Sequence, residues 1–493
     1  MRVVAGSAER RAITSLALLS AAFGFLAIGV LTPVPLAQTA PATAVFVVTA
    51  FFRPRVVRFD ILLAVMVGII LFVPIKRYTL PTGLPFDLEP YRIYVAIVLA
   101  AWVASLLVDK RVRIRRSGFE GPIALMCVSV LASELVNPGR VASLGQIVVK
   151  AVTFFVSFLL VYYLIVSIVR TRERLRPLLV VLVAGGAVVA LTAIYETRTG
   201  SNVFNHLGRL LPGLVYHDPG EELRGGNIRA YASAQHPIAL SVALLMILPI
   251  GIYLAKTSER WRQWWWVAVG LLGIGALATG SRTGAIGLLA IAGVYLWLRP
   301  KELRRFWPAL VPAVIVVHFA LPGAIGGLRA QFFPQGGLIA QQSTIAHGDA
   351  EVQQLSNNRL ADIGPSLDEL GQYNPLFGEG FGTRVTGFDS TFINASILDD
   401  QWLKTLLETG IVGMFAWLWW FMRALRRLGR EAKRDRSPEG WLAVGLAASI
   451  AAGAVCMFTF DMFSFIQVTF LLFIVLAFAS VALSTAPADE PAK

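Results

Sequence analysis

Fourteen stretches of about 17 to 25 predominantly apolar residues follow one another along the 493-residue chain. They start near Ile13, Leu36, Ile61, Tyr91, Pro122, Val148, Leu178, Pro237, Trp264, Thr283, Trp307, Gln401, Trp441 and Phe463. A helix of such length crosses the hydrocarbon core of a bilayer and satisfies its own backbone hydrogen bonds, which lipid cannot do for it. The repetition therefore predicts an all-α, polytopic integral membrane helix bundle of about 14 spans, 12 if the short second and small-residue-rich tenth stretches are not counted. With 56% hydrophobic and 15% charged residues, no block of ordinary soluble composition exists. A soluble protein and a single-span receptor are both excluded. No internal repeat, heptad or low-complexity tract divides residues 1–493, which read as a single integral membrane domain.

The net charge of +14 would fit nucleic acid, but the positions of the charges argue otherwise. Lys and Arg gather on alternate loops: Arg2 to Arg11, Arg53 to Arg58, Lys110 to Arg116, Arg170 to Arg176, Lys256 to Arg262, Arg299 to Arg305 and Arg423 to Arg436. With Lys493, these loops hold 30 of the 44 basic residues. That asymmetry is the positive-inside signal of a cytoplasmic (inner), bacterial-type membrane, with both termini cytoplasmic and no nucleic-acid partner. The first apolar stretch, although preceded by Arg10 and Arg11, is long for a signal peptide. Two long segments are then external, 196–236 and 323–400, the second expected to carry short helices. One candidate, Glu351 to Leu370, has roughly helical apolar spacing and is expected on the membrane surface, with Arg359 turned to an external cavity. Cys127 and Cys456 lie in apolar stretches and frame neither a disulfide nor a metal site.

Three external clusters carry polar chemistry. Arg229, with Arg224 just before it, precedes His236-Pro237 at the start of an apolar run, where Pro suits the first helical turn and free N–H groups favour an anion. Two readings fit Arg229, a phosphate ligand or an interfacial snorkelling residue, and His236 also fits a simple helix-start role. Arg282, with Ser281, stands in the short Ala-Thr-Gly-Ser-Arg-Thr-Gly connection. An arginine held near an apolar boundary usually faces a cavity or a partner. The third cluster is Pro-Leu-Phe-Gly-Glu-Gly-Phe-Gly-Thr followed by Asp389, Asp399 and Asp400. The two last carboxylates open the twelfth stretch, and capping accounts for one of them. Glu408 lies two turns deeper, with Lys404 at i−4 as its expected partner. Gly378, Gly380 and Gly382 lack a βαβ context and read as a tight re-entrant turn. His206, His217 and His347 are expected in solvent and His318 buried, none with metal spacing.

In this order, from about Arg229 to Gly413, the clusters resemble the O-antigen ligase and O-antigen polymerase-like membrane proteins. The carriers are Arg229 before His236-Pro237, Ser281-Arg282, Pro375 to Gly382, and Asp399 to Gly413. The family's last motif begins with His followed by Asn, Ser or Gln, then nine residues and Gly-x-x-Gly. Here Asp399 and Asp400 replace that pair while Gly410 and Gly413 keep the register. The resemblance implies a GT-C-like bundle and metal- and cofactor-independent glycosyl transfer in surface-polysaccharide assembly. The donor would be a polyprenyl-diphosphate-linked glycan and the acceptor a hydroxyl-bearing glycan or lipid at the outer face of the membrane. Asp399, Arg229 and Arg282 take the catalytic places; Arg224, His236, Ser281, Arg359, Asp400 and Glu408 take the substrate-binding ones. The competing class, a lipid-linked oligosaccharide flippase, is expected to show mid-membrane ionisable residues and paired broken helices. Neither is read in this sequence.

Overall fold

The computed structural model describes residues 59–81, 88–108, 112–209, 213–218, 223–224, 227–306, 308, 310–321, 363–384 and 400–484. The stretches starting near Ile13 and Leu36 fall outside them, as do His347, Arg359, Asp389 and Asp399. The other twelve stretches are helical: α1 (Phe59–Phe72), α2 (Pro90–Val108), α3 (Glu120–Val136), α4 (Gly145–Ile168), α5 (Arg172–Thr199), α6 (Pro237–Thr257), α7 (Arg262–Ala278), α8 (Arg282–Leu298), α9 (Leu310–Ala320), α10 (Gln401–Arg434), α11 (Trp441–Cys456) and α12 (Ile466–Ser484). Among the described residues, seven helices are long and apolar enough to cross a membrane: α2, α4, α5, α6, α10, α12, and α11 with the 3-10 turn before it. α9, with 11 residues, rises only about 16 Å, half the thickness of the core. Its His318 is exposed beside Phe319 rather than buried, a correction with a plain reason: this short helix presents an open face.

α6 and α12 are buried along nearly their whole length, so they read as apolar on every side. α6 packs on α5, α7, α8, α11 and α12. α11, rich in Ala and Gly, lies among α6, α8, α10 and α12, where small side chains let backbones approach. Among the described residues the strands form two short two-stranded pairings, Tyr78–Thr79 with Val215–Tyr216 and Leu223–Arg224 with Asn227–Ile228.

Cross-helix polar contacts sort the connections to two ends. At one end, Arg427 donates to the Gly118 carbonyl (3.0 Å), Arg172 pairs with Glu431 (3.2 Å), Arg299 donates to the Ala432 carbonyl (2.7 Å) and Lys256 pairs with Glu302 (2.8 Å). This end gathers the basic loops. α10, about 50 Å long, carries its Arg-rich last turns beyond the apolar layer here. At the other end lie the connections that hold Arg229, Arg282, Glu379 and Asp400.

Candidate active site

Arg77 and Glu196, both buried, hold the segment that leads to α6. Arg77 donates to the carbonyls of Ala232 (2.8 Å) and Ala234 and lies over the Tyr231 ring. Glu196 accepts the Ala232 N–H (2.8 Å) and the Asn202 amide (3.0 Å). Charge-assisted bonds of this kind are shorter and stronger than neutral ones, so the loop is tightly set between a cation and a carboxylate. At one end of that loop, His236 accepts the Ile238 N–H at Nδ1 (3.1 Å) and caps α6, with Pro237 in the first turn. At the other, buried Arg229 donates from Nε to the Thr279 carbonyl (3.2 Å). Two residues after Thr279, buried Ser281 precedes α8, and Arg282 is the first residue of that helix. Arg229 thus bonds the short turn that leads into Arg282, although 52 residues separate the two in sequence.

The third cluster approaches the same corner. Cys456 Sγ contacts the Thr283 carbonyl (3.6 Å) in the first turn of α8, and the next residue, Met457, accepts the Gln401 N–H (2.8 Å). Asp400 caps α10 by accepting the N–H groups of Trp402 (2.8 Å) and Leu403 (3.1 Å). Capping therefore occupies the second of the two carboxylates.

α10 is not continuous. Gly410 has φ +67° and ψ −168°, breaking the helix two turns after its start. The re-entrant turn expected at Gly378 to Gly382 fills the break. Leu407 and Glu408 accept the N–H groups of Glu379 (2.8 Å) and Gly380 (3.2 Å), and Ile411 and Val412 donate to the carbonyls of Pro375 (3.0 Å) and Leu376 (3.1 Å). Ser133 of α3 also donates to the Glu408 carbonyl. Backbone groups freed at the break thus find partners in the turn and in α3, the condition for irregular backbone at membrane depth. A broken helix is the feature not read in the sequence, because Gly410 is one glycine in an otherwise helical apolar pattern.

Glu379 is the residue the sequence reading missed. Fully buried, it forms ion pairs with Arg140 (3.2 Å) and Arg384 (3.0 Å). A carboxylate between two glycines in an apolar turn was the available signal. The expected Lys404–Glu408 pair is corrected: Lys404 reaches Asp461 (2.8 Å) and Ser464 (3.4 Å) instead, because the α11–α12 connection lies against the start of α10. Glu408 Oε1 has no hydrogen-bond partner among the described residues. The loop helix is seen as Ile363–Gln372, and it packs Leu370 against Leu407 rather than lying on lipid alone. His206 and His217 are exposed, His217 bonding Thr79 (2.9 Å). Of Arg224, only the backbone, in a two-residue strand, is described. Among the described residues no three His, Cys, Asp or Glu cluster as a metal site.

Beside Gln401, a cavity of about 330 Å³ opens between α4, α10 and the turn before α12. Its polar wall includes Lys76, Lys150, Arg384, Lys404 and Glu408, and its apolar wall Phe158, Phe381, Trp417 and Phe463. Arg229 and Arg282 do not line it. The structure therefore has two electropositive places at one end of the bundle, the arginine turn and this cavity.

Taken together, the fold and site define a polytopic helical membrane protein with buried Arg229, Glu379 and Asp400 at the end opposite the basic loops. Residues 267–418 of this chain match the O-antigen ligase family. The match bears out the resemblance and covers Arg282, the Gly378 turn and Asp399 to Gly413, but not Arg229 or His236. No curated protein gives a significant match to the chain.

Proposed function

We propose that the protein is a glycosyltransferase that moves a glycan from a polyprenyl-diphosphate carrier to an acceptor hydroxyl at the outer face of the cytoplasmic membrane. The observation that carries this reading is the bond from Arg229 to the Thr279 carbonyl, in the turn that leads into Arg282. In the reaction the anomeric C–O bond to the diphosphate breaks and its electron pair leaves with the polyprenyl diphosphate. The acceptor oxygen forms the new C–O bond, and its proton passes to a base. Two guanidinium groups can meet the growing charge of the leaving diphosphate, since their planar forks bind phosphate oxygens bidentately. Asp399, next to the Asp400 cap, is the proposed base; an aspartate near its reference pKa of about 3.9 is ionised at neutral pH and only accepts.

The experiment is a transfer assay with purified protein, a polyprenyl-diphosphate-linked glycan and a glycan acceptor. Transfer with release of polyprenyl diphosphate is expected, and Asp399→Asn is expected to lose it by about 10² to 10⁴-fold. An Asp399→Asn protein with full activity would move the base elsewhere, to Asp389 or Glu408. The break at Gly410 is a specific observation in favour of a second reading, the flippase, because discontinuous helices are common in transporters. Among the described residues it has no counterpart in a second half. Movement of the lipid-linked glycan across vesicles without any transfer would decide for the flippase.

Orientation is open to a separate check. In a background lacking Cys127 and Cys456, Ser201→Cys should react with a membrane-impermeant thiol reagent in intact cells, and Ser437→Cys only after permeabilisation. The opposite pattern would put the arginine turn in the cytoplasm and end the outer-face reading.

A further inference from the structure

The cavity beside α10 holds more cationic groups than the described residues pair. Arg384 is engaged by Glu379 (3.0 Å) and Lys404 by Asp461 (2.8 Å), with Glu408 facing Lys404 from the next turn. Lys76 and Lys150 remain in the lining, neither in an ion pair with a described residue. Lys76 comes from the α1–α2 connection and Lys150 from the second turn of α4. Their meeting is a product of the tertiary fold.

The position of Lys76 is built. Its backbone is left-handed (φ +66°), a conformation that a non-glycine side chain adopts at a cost, and the Glu89 carboxylate holds it there by accepting the Lys76 N–H (2.6 Å). Burial, and next to it the charge of Lys150, push the Lys76 ammonium below its ordinary range. An anion between the two lysines relieves the second of these effects and reverses its sign. Much of the remaining lining is aromatic, with Phe158 and Phe381 among its rings. At about 330 Å³ the cavity is at the low end of ligand pockets, with room for one or two sugar rings.

We infer that this cavity is a subsite for an acidic sugar of the glycan, its carboxylate held between Lys76 and Lys150 and its apolar C–H face laid on the phenylalanine rings. The ligand's identity as a saccharide rests on the transferase reading; the anion preference rests on the two lysines. The diphosphate is assigned elsewhere, to the planar forks of Arg229 and Arg282, which do not line this cavity. Ammonium groups are point charges, suited to a single carboxylate on a ring rather than to bidentate phosphate.

The test is equilibrium binding to the full-length protein in nanodiscs, with cellobiouronate and cellobiose as probes that differ by one carboxylate. The native protein is expected to bind cellobiouronate at least about tenfold more tightly, a difference that shrinks as salt is added. Lys76→Gln/Lys150→Gln should erase that preference, and Lys76→Arg/Lys150→Arg should keep most of it. Lys150→Gln alone, on an exposed helix face, should lower it part way and guards against a folding defect at Lys76. Equal binding of the two probes by native protein, or an unchanged preference in the double glutamine variant, would overturn the inference. So would loss of geranyl diphosphate binding in that variant with cellobiouronate binding intact, which would make the cavity the diphosphate site. Because binding is read without turnover, a native protein that binds cellobiouronate but transfers nothing would refute the transferase and leave the subsite standing.

Discussion

Gly410→Ala and Gly378→Ala are each expected to remove most of the folded protein. The two glycines stand face to face where the re-entrant turn enters the break in α10, both with left-handed backbones (φ +67° and +75°). A methyl group on Gly410 would overlap the Leu376 carbonyl and come within 2.5 Å of the Phe377 nitrogen; one on Gly378 would overlap the Leu407 carbonyl and come within 2.7 Å of the Glu408 carbonyl carbon. Neither neighbour is a side chain that can swing away, since both are backbone tied by the bonds that close the break. Separating the strands of this contact leaves backbone groups unpaired at membrane depth, so the cost combines φ strain with lost hydrogen bonds, about 4 kcal/mol or more. Thermal melting of the detergent-solubilised protein measures it. Gly371→Ala, where nothing lies within 4 Å, is the control and should melt like the native protein. Native-like melting of both variants at the break would mean that the turn does not dock there.

Arg229→Lys and Arg282→Lys should each lower turnover by about 10² to 10³-fold while the protein accumulates normally. Lysine keeps the charge but not the fork, so it cannot hold two oxygens of a diphosphate at once. For Arg229 a second readout separates two roles, because its Nε also ties the α6 approach to the Thr279 carbonyl. A purely structural Arg229 would show as a lower melting temperature with turnover lost only in proportion to unfolded protein. A transition-state role leaves melting near native and moves kcat. Near-normal kcat in both lysine variants would take the arginines out of the mechanism.

Membrane helices are legible because each must satisfy its own backbone and face lipid or other apolar helices, so length and apolarity write them directly into the chain. Twelve predicted stretches accordingly coincide with helices, and the short Leu310–Ala320 shows that an apolar run need not be long enough to cross. Arg229, Arg282 and Asp400 were likewise readable, as charges set at the boundaries of apolar runs.

Local sequence did not reveal which of those charges meet, or where the chain breaks inside a run. Lys404 looked like a partner for Glu408 four residues on, yet it bonds Asp461, which the α11–α12 connection brings across from 57 residues away. Glu379 is marked out by Arg140 and Arg384, one of them more than 200 residues away in sequence. Nothing near Lys76 in sequence announces Lys150. The sequence by itself determined the membrane class, the helices and the alternation of basic loops, since these follow from each segment's own exchange between water and lipid. Tertiary structure alone decided the break at Gly410, the glutamate between two arginines and the lysine-walled cavity, because each is formed by groups from segments far apart in the chain.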